Sequence, residues 1–354
     1  MLYTYKYTEN HVIESLHQYI EFFFKTMFKE EELTFTDNLI HQDFKCIVDA
    51  CDKLSALLKD VFEAFKKLDK PSRDYIIEGF KNNNLIEKLC CGDVEPIHYK
   101  DIQDPLKTYL EELFTYLYNG VLSTSAYISN HCDMKEHFKA SRELNKKYKY
   151  CPFCGLYRLN SKYDIKRDDY DHYLPKTKYP FNSVNFRNLV PICGECNTGY
   201  KKAKDLLFKD DDKSKRRKAF YPYDNLMDTI IFKLSIVSQG KLPIIDDELK
   251  IDITGSLNRN EEIESWNDVF EIKKRYAAEI KDKIQEWLSF FYIHIYKKEK
   301  DKPGFDFNVL LYEYLNDLEY SLFTDQNFLR KAAFELLATE YDFEKILNDT
   351  TLSA

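Results

Sequence analysis

The stretch NLVPICGECN, residues 188–197, closes on two cysteines separated by two residues, and the same spacing occurs upstream in CPFC, residues 151–154. A C-x2-C pair makes a tight knuckle that can present both thiolates to one ion, and two such knuckles supply the four ligands of tetrahedral zinc. A redox dithiol is the rival reading of a single pair. Two pairs set 38 residues apart inside a basic segment favour a structural metal held by Cys151, Cys154, Cys193 and Cys196. A closed four-thiolate site has no open coordination position, so any chemistry must come from side chains between and after the cysteines.

Charge separates this segment from its surroundings. The chain of 354 residues carries a net charge of −8, yet residues 146–222 hold 19 Lys and Arg against 9 Asp and Glu. A basic island in an acidic chain is the electrostatic footprint of a polyanion site, with acidic flanks that keep non-specific binding weak. Within it, KDDDKSKRRK (209–218) reads either as a substrate-contacting loop or as a solvated one.

The flanks read as helical. Glycine and proline are scarce, at 9 and 10 residues, and apolar residues make up 44% of the chain, enough for real cores. Stripes at helical spacing predict helices over 10–28 and 43–68 and a third from Pro71. A fourth has Asp104 and Pro105 at its entry, Leu106, Leu110, Leu113 and Leu117 as its stripe, and Gly120 at its exit. Cys46, Cys51, Cys90 and Cys91 are expected mostly in the core, the adjacent pair Cys90 and Cys91 lacking ligand spacing, while His131, Cys132 and His137 could form a site on paper. Downstream the period changes to two: IFKLSIV (231–237) and LKIDIT (249–254) predict a small antiparallel element turning at SQGK, followed by helices over 261–298, 306–319 and 325–348. The expected class is mainly α, α+β as a whole, in three segments: a helical region 1–145, a central module 146–222, and a C-terminal hairpin and helices over 223–354. The opening MLYTYKYTENHV lacks a signal-peptide apolar stretch, and no run approaches the roughly 18 apolar residues of a membrane helix. A cytoplasmic protein with reduced thiols and no membrane partner is expected.

The candidates for chemistry lie in YDHYLPK (170–176) and beyond: Asp171, His172, Asn182, Asn185, Asn188, Asn197 and the lysines 201, 202 and 204. Adjacent residues on an extended segment point to opposite faces, so an Asp-His pair can hold a hard cation on one side and address water on the other.

In order, C-x2-C, DHYLPK and NLVPICGECN with lysines following resemble the HNH nucleases, in a zinc-knuckled four-cysteine form with asparagine at the last motif position. The likeness covers roughly residues 148–220. It implies a ββα-metal module, a β-hairpin and helix around one divalent cation, stabilised by the zinc. Asp171 then stands as the metal-ligating acid, His172 as the general base, Asn188 as the residue that orients the base, and Asn197 as the second metal ligand. Asn182 and Asn185 compete for the middle role; Asn188 is preferred because it leads directly into LVPI. Many members have histidine where Asn197 stands, which leaves metal preference and affinity open. The chemistry agrees with these roles. Neutral histidine suits removal of a proton from water near neutrality, and oxygen ligands favour Mg²⁺ or Mn²⁺. Lys176, Lys201 and Lys202 are expected at backbone phosphates.

The longer phrase, extended by FYPYDN (220–225) and KKRYA (273–277), is similar to HNH proteins of Septu-type anti-phage systems, which implies an ATPase partner that gates the nuclease. The expected function is a metal-dependent endonuclease acting on DNA. A zinc-knuckled nucleic-acid-binding or adaptor protein without catalysis, and an RNA-directed nuclease, stay open beside it.

Overall fold

The amphipathic stripes of the first 145 residues fold as helices in the computed structural model, which describes residues 1–31, 34–211, 213–225, 229–238 and 244–350. They are α1 (Ser15–Lys29), α2 (Gln42–Asp49), α3 (Asp52–Lys66), α4 (Lys70–Asn83), α5 (Ile86–Cys91), α6 (Leu106–Asn119), α7 (Ser125–Asn130) and α8 (Met134–Leu144). Side chains close the exposed N–H groups at several starts: Asp69 accepts from Ser72 N at 2.8 Å ahead of α4, and Asp133 accepts from Glu136 N at 2.8 Å ahead of α8. The expected single helix over 43–68 is two. Cys51 is extended, with φ −139° and ψ 90°, so the chain turns between α2 and α3 although the apolar stripe runs through both. The Cys51 thiol lies 2.9 Å from the Tyr116 hydroxyl.

Of the four cysteines expected mostly in the core, Cys90 is buried and Cys51 half-buried, whereas Cys46 and Cys91 are exposed. This corrects the expectation. Cys46 is not on the stripe of Phe44, Ile47 and Val48, and Cys91 closes α5 one residue past the core position of Cys90.

The central segment adds two three-residue strands, β1 (Tyr170–His172) and β2 (Leu189–Pro191), antiparallel with Asp171 opposite Val190 and His172 opposite Leu189. The connection between them is anchored by aromatic packing. Phe181 lies among Phe24, Phe80 and Phe114 at centroid distances of 5.5, 5.3 and 5.7 Å. Tyr170, Val184, Phe186 and Leu189 join the same core as the buried faces of α1, α3 and α6. Burying that much apolar surface against the helices makes the hairpin part of their domain.

The chain divides into two compact units that do not follow the three expected segments. One comprises Thr4–Lys147 and Leu159–Met227; the other comprises Met1–Tyr3, Tyr148–Arg158 and Asp228–Ala354. In the second unit, β3 (Ile230–Ser238) pairs antiparallel with β4 (Glu248–Gly255), setting Phe232, Leu234 and Ile236 opposite Ile253, Ile251 and Leu249 as the two-residue period requires. Residues 239–241 of the expected SQGK turn lie outside the described residues. The helices are α9 (Asn260–Phe270), α10 (Ile272–Phe291), α11 (Lys297–Glu299), α12 (Phe307–Tyr320), α13 (Asn327–Glu340) and α14 (Phe343–Thr350), with a π-helical segment Tyr292–Tyr296 ahead of α11. Left-handed Glu271, φ 53°, and extended Tyr341 break helices expected to be continuous. Their apolar positions, including Trp266, Tyr276, Ile280 and Trp287, are buried as the stripe predicts. Among the described residues the chain is mainly α-helical with two two-stranded sheets, and no helix is long and apolar enough to cross a membrane.

His131 and His137 serve the core. His131 Nε2 is 3.0 Å from Tyr19 Oη, and His137 Nδ1 is 2.6 Å from Tyr170 Oη. Burial pushes the His137 imidazole down to about 3. A histidine depressed below its unfolded value favours the unfolded chain once protonated, so its contribution is complete above pH 6.5 and is lost as pH falls toward 3. Melting temperature followed by circular dichroism is expected to drop between pH 7 and pH 4, and His137→Gln is expected to flatten that drop; an unchanged slope would rule out this origin.

Candidate functional site

Each cysteine knuckle has a backbone N–H directed at one of its sulfur atoms. Leu156 N donates to Cys154 Sγ at 3.4 Å and Cys196 N donates to Cys193 Sγ at 3.4 Å, so backbone N–H groups stabilise sulfur charge in each. The first knuckle is fixed by Trp266 Nε1 donating to Phe153 O at 2.7 Å and Tyr276 Oη donating to Cys154 O at 2.9 Å. Gly155, φ 68°, turns that knuckle where a Cβ would come within 2.4 Å of Leu2 and 2.8 Å of Phe328. All four cysteines are buried, and their sulfur atoms lie within 4.8 Å of one another. Tetrahedral zinc, with Zn–S near 2.3 Å, needs S···S separations of roughly 3.8 Å, so this group fits a metal such as zinc. Among the described residues it is the one group of three or more His, Cys, Asp or Glu side chains placed to hold a metal. The histidines at 131 and 137 with Cys132 therefore make no such centre.

The second constellation surrounds β1. Asp171 is buried and paired with Lys201, whose Nζ lies 3.1 Å from Oδ1 and 3.0 Å from Oδ2. Lys201 Nζ also donates to the His172 carbonyl at 2.8 Å and is itself fully buried. Burial raises the Asp171 carboxyl above the usual carboxylate range and the lysine pulls it back, with burial the larger effect. Lys201 ends a π-helical segment, Glu195–Lys201, that begins two residues after Cys193, contains Cys196 and also carries half-buried Asn197. Asn197 stands four residues before Lys201, close to one π-helical turn, so both belong to the same side of the segment.

His172 makes a different set of contacts, as its place across the strand from Asp171 requires. Its Nε2 is 2.9 Å from the Ser183 carbonyl. A carbonyl only accepts, so Nε2 carries the proton and Nδ1 keeps the lone pair. Burial, then the charges of Lys176 and Lys201, push the imidazole down to about 3, which keeps it neutral near pH 7. The Tyr118 ring meets it T-shaped, centroids 4.3 Å apart.

The three candidate asparagines do different work. Asn188 Oδ1 accepts from Leu174 N at 2.8 Å, and Nδ2 donates to Leu174 O at 3.0 Å and to Asn182 Oδ1 at 3.2 Å. Tyr173 N donates to Asn188 O at 2.8 Å. Asn188 therefore clamps the two residues that follow His172. Asn182 supports it and reaches Asn83 O at 3.3 Å, while Asn185 Nδ2 bonds Asn84 Oδ1 at 3.1 Å.

The basic island is largely engaged within the fold. Lys178 pairs with Asp211 at 2.6 Å and Lys213 with Asp101 at 2.5 Å; Arg216 donates to Leu89 O and Arg217 to Asp205 O, each at 2.6 Å. The described part of 209–218 is thus tethered, neither a free arm nor a purely solvated loop. Of the lysines expected at phosphates, Lys202 is exposed, Lys176 is half-buried and Lys201 is buried on Asp171. Tyr118, Asn119 and Ser183 had no sequence signal: nothing in YLYNG or FNSVNF ties either to a histidine elsewhere in the chain. No family model, curated protein or solved structure matches the chain.

The purified protein is expected to carry one metal ion on the four cysteines. Elemental analysis is expected to find close to one zinc per chain, lost in Cys193→Ser with a lower melting temperature. Prompt reaction of all nine cysteines with a thiol reagent in the unchelated protein would contradict this.

Proposed function

We propose that this chain is a metal-dependent endonuclease of the HNH type, hydrolysing nucleic-acid phosphodiester bonds, DNA first among them, with His172 as the base. The observation that carries the reading is the state of His172. It is a buried imidazole, neutral near pH 7, with Nε2–H committed to a backbone carbonyl and Nδ1 left as acceptor, beside a buried carboxylate on the same short strand. A histidine placed only for packing has no need of that carboxylate next to it. The metal of the four cysteines is structural in this reading, since a closed thiolate set offers no site for substrate.

In the reaction, His172 Nδ1 takes a proton from water as the water oxygen bonds to phosphorus and the phosphorus bond to the 3′ oxygen breaks. The negative phosphodiester, once bound, raises the basicity of the depressed imidazole, because an anion nearby favours the imidazolium. Asn188 holds Leu174 and so fixes the backbone on which His172 is presented. Lys176, its Nζ 3.0 Å from Asn119 Oδ1, is close enough to His172 to influence its charge and is suited to the phosphate, while exposed Lys202 suits a flanking phosphate. Asp171 and Asn197 would hold Mg²⁺ or Mn²⁺, which supplies positive charge at the departing oxygen. Asp171 Oδ2 is buried and makes no hydrogen bond, but it lies 3.0 Å from Lys201 Nζ in the ion pair, so a cation there would take the place of the ammonium.

That ion pair also favours a second reading, a nucleic-acid-binding protein without catalysis, because the Asp171 charge is already balanced by Lys201. An anti-phage effector gated by an ATPase, acting in the cytoplasm, extends the nuclease reading and rests on the sequence resemblance alone.

Plasmid nicking by the purified protein with Mg²⁺ or Mn²⁺ tests the reading, with a single-stranded RNA arm for the alternative substrate. Cleavage is expected to vanish with EDTA and to fall by about 100-fold or more in His172→Ala, the usual size of a lost general base. Retention of nucleic-acid binding with no cleavage in any arm, an ATPase partner included, selects the binding protein.

A further inference from the structure

Outside its own motif, His172 is met by the C-terminal end of α6. The core stripe of that helix is Leu106, Leu110, Leu113 and Leu117, and all four are buried. Tyr118 and Asn119 fall off that stripe. The Tyr118 ring stands T-shaped to the His172 imidazole, with 69° between the planes, and its face carries Lys176 Nζ at 4.5 Å. Asn119 accepts from the same Nζ at 3.0 Å. One turn earlier, Phe114 O accepts from Ser183 Oγ at 2.7 Å, and Ser183 is the residue whose carbonyl receives His172 Nε2–H. Two independent lines of contact therefore run from α6 to one imidazole.

We propose that α6 belongs to the catalytic apparatus and that Tyr118 is a positioning residue for both His172 and Lys176. This rests on the nuclease reading of β1. An imidazole tied at one nitrogen can still swing about its Cβ–Cγ bond and exchange tautomers. A ring packed against it removes the swing and so keeps Nε2–H on the Ser183 carbonyl, which α6 holds and which fixes the tautomer. The same aromatic face holds the Lys176 ammonium beside the base, where burial lowers its basicity and strengthens any contact with phosphate. An aromatic pair of this geometry is strong enough to change the fraction of bases held in the reactive orientation by about twofold to tenfold. The helical segment therefore does more than buttress the fold or present a docking surface.

The test compares Tyr118→Leu with Tyr118→Phe in two readouts. Tyr118→Leu is expected to lower kcat for cleavage by about twofold to tenfold, with a smaller rise in KM as Lys176 loses its aromatic face, and Tyr118→Phe, which keeps the ring, is expected to restore both. Independently of activity, nitrogen-15 imidazole spectra are expected to show His172 as a single Nε2–H tautomer in the wild type and as a mixture in Tyr118→Leu, with the signal assigned by His172→Ala. A folded Tyr118→Leu protein that keeps both wild-type kcat and a single tautomer overturns the proposal. If Tyr118→Leu does not fold, Ser183→Ala tests the other line of contact by the same readouts and signs. If the wild type cleaves nothing, the nuclease reading fails, and the imidazole spectra alone decide whether α6 positions His172: a mixture in the variant retains that contact, and a single tautomer removes it.

Discussion

The hydrogen bonds of the Asn188 amide are the constraint on which the candidate site depends. Asn188 is fully buried, and its oxygen and both of its protons are engaged. Leaving Leu174 N and O without partners in that interior would cost about 1–3 kcal/mol for each group, more than the few hydrogen bonds between two three-residue strands could offset. The residue before β2 thus determines where the chain goes after β1, and with it the backbone of His172. Asn182 ties the clamp to Asn83 at the end of α4, so the hairpin takes its position from the helices. Tyr223 extends the support from the other side by donating to Leu189 O at 2.5 Å.

The Asp171–Lys201 pair is the second element of the site and its least stable compromise. Both groups are buried, and removing either from such a pair typically costs about 3–5 kcal/mol because the partner charge is stranded. A divalent cation bound by Asp171 would have to displace the lysine, and the released ammonium would remain within reach of substrate phosphate. In the proposed nuclease, the lysine would screen the carboxylate until a cation binds.

Much of this was legible in the sequence for physical reasons. Four thiolates in two knuckles have few other uses, and their sulfur atoms do meet. Stripes of period 3.6 and 2 located the helices and the second hairpin, because burial of one face is what both periods encode. The breaks at Cys51, Glu271 and Tyr341 were not legible: an apolar stripe continues through a turn when both helices pack on one core. Nor was the division into units, which depends on where Phe181 and Trp266 are buried, not on the positions of the motifs. Lys201 was expected at a phosphate because a lysine after a knuckle in a basic segment looks exposed; nothing local shows that its stem is fully enclosed and its ammonium turned to Asp171. Tyr118 was hidden for a related reason, since its partner His172 is 54 residues away and contacts across helices leave no spacing to read.

The most direct measurement of the central claim is the position of a divalent cation. Crystals of the protein soaked in Mn²⁺ and recorded at a wavelength that reports manganese should show the ion on an Asp171 oxygen and the Asn197 amide oxygen, with Lys201 Nζ moved off the carboxylate. Manganese absent from that strand at saturating concentration, with Lys201 still paired to Asp171, would contradict the account and leave His172 without the metal its chemistry requires.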